Sequence, residues 1–301
     1  MNKVFVYLFI FLILPFCVHA KVYDCFSFFN ELELLKMRFE ELDDSVDYFV
    51  LVESIETQRG DIKPLYFKDN KHLFEKYLPK VIHVTVEERH PEMSLWQREH
   101  YQRNCILRGL TGCDSSDVIM ISDLDEIPRP SVIEKVAFEL PLKKKIQNAE
   151  IPSFDSPNKK KRYEKKYSRL GAYALQMDNY YYHLNRQTPT RETWGGGQWY
   201  GTIITTYSKL LSKKPQYFRN KRKILPRIDK GGWHFSWMGG KNKVRQKLAS
   251  VVEGRSDAHL ITDAEIDNWL ANHPPVPIDD TFPSYIHRNK EYLTSIDFLC
   301  E

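Results

Sequence analysis

The chain has 301 residues, 42% of them hydrophobic, which allows one large domain or two small ones and a sizeable core. Its formal charge of +4 is the small difference between 44 basic and 40 acidic residues, too mild a balance to argue for a nucleic-acid partner. The aromatic content (17 Tyr, 17 Phe and 6 Trp) suits a carbohydrate-handling cleft and equally a large core.

The N-terminus opens on the basic Met1-Asn2-Lys3, followed by an apolar run from Val4 to Phe16 and the small-residue ending "VHA" at 18–20. This predicts a signal peptide over 1–20, with a short uncleaved membrane anchor as the alternative, and 21–301 as a single exported domain. The destination would be a secretory lumen, a periplasm or the medium, and an anchor would add membrane association through the N-terminus. Cleavage removes Cys17 and leaves Cys25, Cys105, Cys113 and Cys300. Two disulfides are then expected, Cys25–Cys300 with Cys105–Cys113 being one of three pairings, and four buried thiols are the competing reading. No Asn-x-Ser/Thr sequon is present.

Beyond residue 20, "KVYDCFSFF" reads as a strand, 31–42 as a helix, 48–54 and 81–86 as strands, 95–110 as a helix and "VIMIS" (118–122) as a fourth strand. Strands alternating with helices predict an α/β fold on a mostly parallel central sheet flanked by helices. The basic stretch 158–166 reads as a solvated loop or an exposed helix. Further on come "YALQMDNYYYHL" (173–184), "GTIITTYSKLL" (201–211) and a helix at 241–253, with no repeat and no clear linker.

The chemistry concentrates at "VIMISDLDEIPRP", where a buried-looking strand ends in Asp123, Asp125 and Glu126. Carboxylates this close repel one another unless a cation or several donors lie beside them. Ligands of open α/β sheets bind beyond the carboxyl ends of the strands, where these residues fall. Asp123 and Asp125 are therefore candidate ligands of Mn²⁺ or Mg²⁺, which takes oxygen ligands and a substrate's phosphates. An acidic turn capping the helix predicted at 131–140 is the alternative. In 95–110, Leu95, Glu99, Gln102, Ile106 and Leu110 share a face, so two polar residues interrupt an apolar stripe, flanked by Arg98 and Arg103. A buried structural network and a nucleotide contact both fit that pattern.

"YDCFSFFNELELLKMRFEEL", "YFVLVES", "WQREHYQRN", "ISDLDEIPRP", "WGGGQWYGT" and "GGWHFSWMGG", in this order, resemble glycosyltransferase family 17, the family of the β-1,4-mannosyl-glycoprotein N-acetylglucosaminyltransferases. The resemblance covers roughly residues 22 to 250. It implies a GT-A type fold, a nucleotide-sugar donor such as UDP-N-acetylglucosamine, a glycan or glycoprotein acceptor and a divalent metal. Carried onto this sequence, it implies Asp123 and Asp125 as the metal motif, Asp125 the more direct, and His234 as a further ligand. Glu53, Arg98, Gln102, Arg103 and Asp123 become candidates for the donor's site. Trp233 and Trp237 are candidates to stack on a sugar or base, with core packing expected for at least one. The glycine-rich 191–201, with Trp194 and Trp199, would face the acceptor. If transfer inverts the anomeric carbon, Glu192 or Asp229 is the candidate base. A non-catalytic, exported sugar-binding relative is the competing function.

Overall fold

A computed structural model describes residues 20–141, 146, 149–167, 170–188, 199–252, 254 and 257–300. The expected signal peptide or anchor at 1–19, and Glu192 and Trp194 among the candidate site residues, lie outside them. Among the described residues no helix is long and apolar enough to cross a membrane.

Eight strands form one sheet: β1 (Val22–Phe28), β2 (Tyr48–Ser54), β3 (Val81–Val86), β4 (Val118–Asp123), β5 (Glu126–Pro128), β6 (Ala172–Tyr181), β7 (Trp199–Thr206) and β8 (Arg227–Ser236). Their order is β3-β2-β1-β4-β7-β6-β8-β5. The helices are α1 (Leu32–Leu42), the single turn α2 (Tyr66–Asp69), α3 (Leu95–Asn104), α4 (Pro130–Glu139), α5 (Pro157–Tyr167), the short α6 (Tyr207–Leu210) and α7 (Pro215–Arg219), α8 (Gly240–Ser250), α9 (Asp263–Ala271), α10 (Ser284–Arg288) and α11 (Lys290–Ser295). The basic stretch is thus an exposed helix, α5, anchored by the buried Tyr163.

β1, β2, β3 and β4 are mutually parallel, but β7 runs antiparallel to both β4 and β6, and β5 antiparallel to β8. The sheet is therefore mixed, not mostly parallel as expected. The parallel half was visible because both of its faces are covered, which makes its strands continuous apolar runs. Along β1, Val22, Phe26 and Phe28 enter the core shared with α1, while Tyr23 and Cys25 enter the opposite one with Ile106 and Leu110.

The sheet also curls. β4 and β5 are four strand spacings apart in the order, roughly 19 Å on a flat sheet. Three Cα steps join Asp123 to Glu126 and reach at most about 11 Å. Only a sheet whose last strands fold back can pair β5 with β8, and this bend brings the carboxylate turn against the second half of the chain.

The four cysteines Cys25, Cys105, Cys113 and Cys300 are all unbridged thiols, against the expectation of disulfides. Cys25 lies inside the core on a central strand, where burial pushes its thiol well above the ordinary range. Cys300 is held instead by Asn185, whose Oδ1 is 3.3 Å from its Sγ.

Candidate active site

β2 and β4 flank β1 on opposite sides, so the strand order reverses at β1, a topological switch point, and a cleft lies beyond the carboxyl ends of β1 and β4. The cleft has a volume of about 230 Å³. Asp123, Leu124 and Asp125 from the β4–β5 turn, Gln102 from α3, Trp199 from β7, His234 from β8 and Lys247 from α8 all line it.

Asp123 and Glu126 share the guanidinium of Arg219, while Asp125 has partners of its own. Asp123 accepts from Arg103 Nη2 through Oδ1 at 2.8 Å and from Arg219 Nη2 through Oδ2 at 2.6 Å. Burial alone would raise its pKa, but Arg219 and Arg103 outweigh that and hold it far below the usual carboxylate range. Glu126 is completely buried and takes a two-pronged hold from Arg219, at 2.7 and 2.5 Å, with the Trp199 indole N–H at 2.7 Å and the Asp123 amide at 3.0 Å. Such two-pronged, charge-assisted pairs are among the few arrangements that offset the desolvation of buried ions.

Arg38 fixes the backbone of the same turn. It is wholly buried on α1, paired with Asp24 at 2.6 and 2.7 Å, and it donates to the carbonyls of Asp123, Leu124 and Glu126 and to Ser122 Oγ. The turn is thereby aimed before any ligand arrives.

That leaves Asp125. Its Oδ2 accepts from Lys247 Nζ at 2.9 Å, and its Oδ1 faces His234 Nε2 at 3.7 Å. Pairing of β5 with β8, with Glu126 opposite His234, sets this juxtaposition, and the Phe235 amide donates to the Asp125 carbonyl at 2.8 Å. Gly232 permits the close pairing, since a Cβ there would lie 2.2 Å from the Ile127 carbonyl oxygen. His234 Nδ1 is 2.6 Å from Asn179 Oδ1; with that oxygen accepting, the ring proton sits on Nδ1 and the lone pair of Nε2 points toward Asp125. Burial lowers the His234 pKa below its usual 6.5, against the opposing pull of Asp125 and Glu126, so the ring is neutral near pH 7. Trp199 covers it, with ring centroids 4.2 Å apart and planes 7° from parallel.

A neutral imidazole facing a carboxylate fits a divalent cation. Asp125 and His234 would hold it. Among the described residues no group of three or more His, Cys, Asp or Glu is arranged to hold a metal ion, so the remaining ligands would come from substrate oxygens and water.

The other sequence candidates separate clearly. Gln102 and Glu99 line the cleft, which accounts for the polar break in the α3 stripe. Arg103 stands behind them, bonded to Glu99, Gln216 and Asp123. Arg98 ties down a neighbouring loop through the His90 carbonyl at 3.1 Å and does not line the cleft. Glu53 is buried beneath the first turn of α2, accepting from the Phe67 amide at 2.8 Å, and is also outside the cleft. Asp229 is exposed, bonded to Gln176 and its own neighbour's amide, five residues and roughly 16 Å along β8 from His234. Trp233 is core, its indole N–H on the Thr281 carbonyl, whereas Trp237 lines the cleft. Sequence reasoning missed Arg38, Arg219, Lys247 and Lys63. Lys63 also lines the cleft, and burial pushes its ammonium down to about 8 despite Glu53 and Glu31.

Residues 15–144 match the sequence model of Glycosyltransferase family 17. The resemblance to that family is shown. The curated relatives are the beta-1,4-mannosyl-glycoprotein 4-beta-N-acetylglucosaminyltransferases of Rattus norvegicus, Homo sapiens and Mus musculus, each 32% identical over 124 residues. The match takes in 38% of this chain and 23% of each relative, so the chain spans less than a quarter of their length. Family and relatives alike are glycosyltransferases by name, and the matched segment holds Asp123 and Asp125 but not His234 or Lys247.

Proposed function

We propose that this chain is a metal-dependent glycosyltransferase of GT-A type, which transfers N-acetylglucosamine from UDP-N-acetylglucosamine to a glycan or glycoprotein acceptor with inversion, in a secretory lumen or equivalent exported compartment. The observation that carries this reading is the meeting of Asp125 with His234 in the cleft beyond β1 and β4, inside a chain that resembles glycosyltransferase family 17.

Mn²⁺ or Mg²⁺, when bound, would neutralise the donor's diphosphate and help it leave. The chain's own contribution is arrangement. Arg38 presents the turn, Asn179 keeps the His234 lone pair on Nε2, and Trp237 offers a flat surface to a sugar or base. Asp123 acts at one remove, locking Arg103 and Arg219 so that the turn keeps its shape. The acceptor hydroxyl's proton must go to a carboxylate within hydrogen-bond reach. Asp229 faces solvent far from His234, which leaves Glu192 as the sequence candidate for that role.

The test is release of UDP from UDP-N-acetylglucosamine, with and without a mannose-bearing glycan and with and without Mn²⁺. Metal- and acceptor-dependent release that disappears in Asp125→Asn supports the reading. Sugar binding without any turnover would instead favour a non-catalytic relative.

A further inference from the structure

Lys247 holds Oδ2 of the same Asp125 carboxylate whose Oδ1 faces His234, so it and the proposed cation would share one negative charge. It projects from the last turn of α8, its side chain 18% exposed, with Nζ 2.9 Å from Asp125 Oδ2 and 3.4 Å from Glu31 Oε1. The ammonium also lies 5.7 Å from the centroid of the Trp237 ring. Glu31, Trp237, Lys247 and Asp125 all line the cleft, and the end of α8 forms its wall, with Ser250 and Val251 lining it and the Val252 amide bonded to Gln58.

We propose that Lys247 is a resident cation that holds the Asp125 carboxylate until metal and nucleotide arrive, and then becomes a ligand of the nucleotide's diphosphate. This rests on the glycosyltransferase reading given above. Lys247 on Oδ2 and a metal between Oδ1 and His234 would repel each other across a single carboxylate charge, so a metal that binds Asp125 must weaken its contact with Lys247. Glu31 then keeps the ammonium inside the cleft, and the incoming diphosphate supplies the anion that Asp125 no longer offers. Two opposite effects follow from one side chain. Lys247 opposes binding of metal alone and favours binding of nucleotide together with metal.

The experiment is calorimetric titration of the whole chain with Mn²⁺ alone, and with UDP in the presence of Mn²⁺, for wild type, Lys247→Met, Lys247→Gln and Lys247→Arg. The neutral variants should bind Mn²⁺ alone roughly tenfold more tightly, and UDP with Mn²⁺ roughly tenfold more weakly, the size expected for one charge-assisted contact. Lys247→Arg should keep the wild-type order of both. Melting curves confirm that each variant is folded, and the glutamine variant serves if the methionine variant is not. Equal Mn²⁺ affinity in wild type and neutral variants, or equal UDP affinity, overturns the role of Lys247 while leaving the glycosyltransferase reading intact. A folded wild type that takes up neither Mn²⁺ nor UDP overturns both together.

Discussion

The indole of Trp199 lies flat on the imidazole of His234, and the same indole N–H donates to Glu126 at 2.7 Å. One side chain thus dries the proposed metal ligand and ties it to the buried arginine network. Because burial depresses the His234 pKa, the neutral, ligating form persists below pH 6.5. Mn²⁺ affinity should therefore hold through pH 6.5 and fall only in stronger acid, and Trp199→Ala, which admits water, should move that fall upward toward 6.5. Calorimetric Mn²⁺ titrations between pH 5 and 8, with His234→Ala as the reference, check it. A midpoint at or above 6.5 in the wild type would contradict the buried, neutral ring.

Asp125 and Arg219 should separate function from stability. Asp125→Asn removes the buried carboxylate that faces His234 and should abolish metal-assisted UDP binding, while Glu31 remains as a partner for Lys247 and limits the loss of stability. Arg219→Met strands Glu126, which is completely buried, without its guanidinium partner, and should cost about 3–5 kcal/mol. Urea unfolding of both variants, beside UDP titration, gives the comparison. Comparable destabilisation by the two would mean that Asp125 belongs to the structural network.

Lys63 supplies a pH dependence of opposite sign. Its ammonium, pushed down to about 8, is charged below that value and neutral above it. UDP affinity should decline as pH rises through about 8, and Lys63→Met should flatten the profile. A variant that retains the decline would assign it to another group.

Gly232→Ala probes the seam between β5 and β8. The added methyl meets the Ile127 carbonyl and the Pro128 backbone, which cannot yield as a side-chain tip can. Overpacking of this kind costs about 1–3 kcal/mol, and here it should also part Asp125 from His234. Loss of Mn²⁺ binding in a protein that still folds is the expected result.

Much of the first half was legible because burial writes itself plainly there. The runs 48–54 and 81–86 coincide with β2 and β3, and α1 begins within a residue of its expected start. The second half hid its strands. β8 carries Gly231 and Gly232, which look like a loop until β5 is seen to need that bare backbone. Arg219 and Lys247 were missed for a different reason, since the carboxylates of the turn that they meet lie 93 to 122 residues away and no local pattern points to them. Arg38 did leave a signal. It shares an i, i+4 stripe with the buried Leu34 and Leu42, and so interrupts an apolar face just as Glu99 and Gln102 do in α3.

The β4–β5 turn works because a late strand closes over an early one. The segment that matches the family supplies the acidic turn with Arg38 and Arg103, while Trp199, Arg219, His234 and Lys247, which also meet it, are encoded after residue 144. β4 borders β7 and β5 borders β8, so a fragment ending at residue 144 would present two bare strand edges and a turn aimed at nothing. The two halves are not separable modules that could be shuffled between proteins. They interleave like the fingers of clasped hands, so a change in the unmatched half alters the surroundings of the acidic turn without touching its sequence.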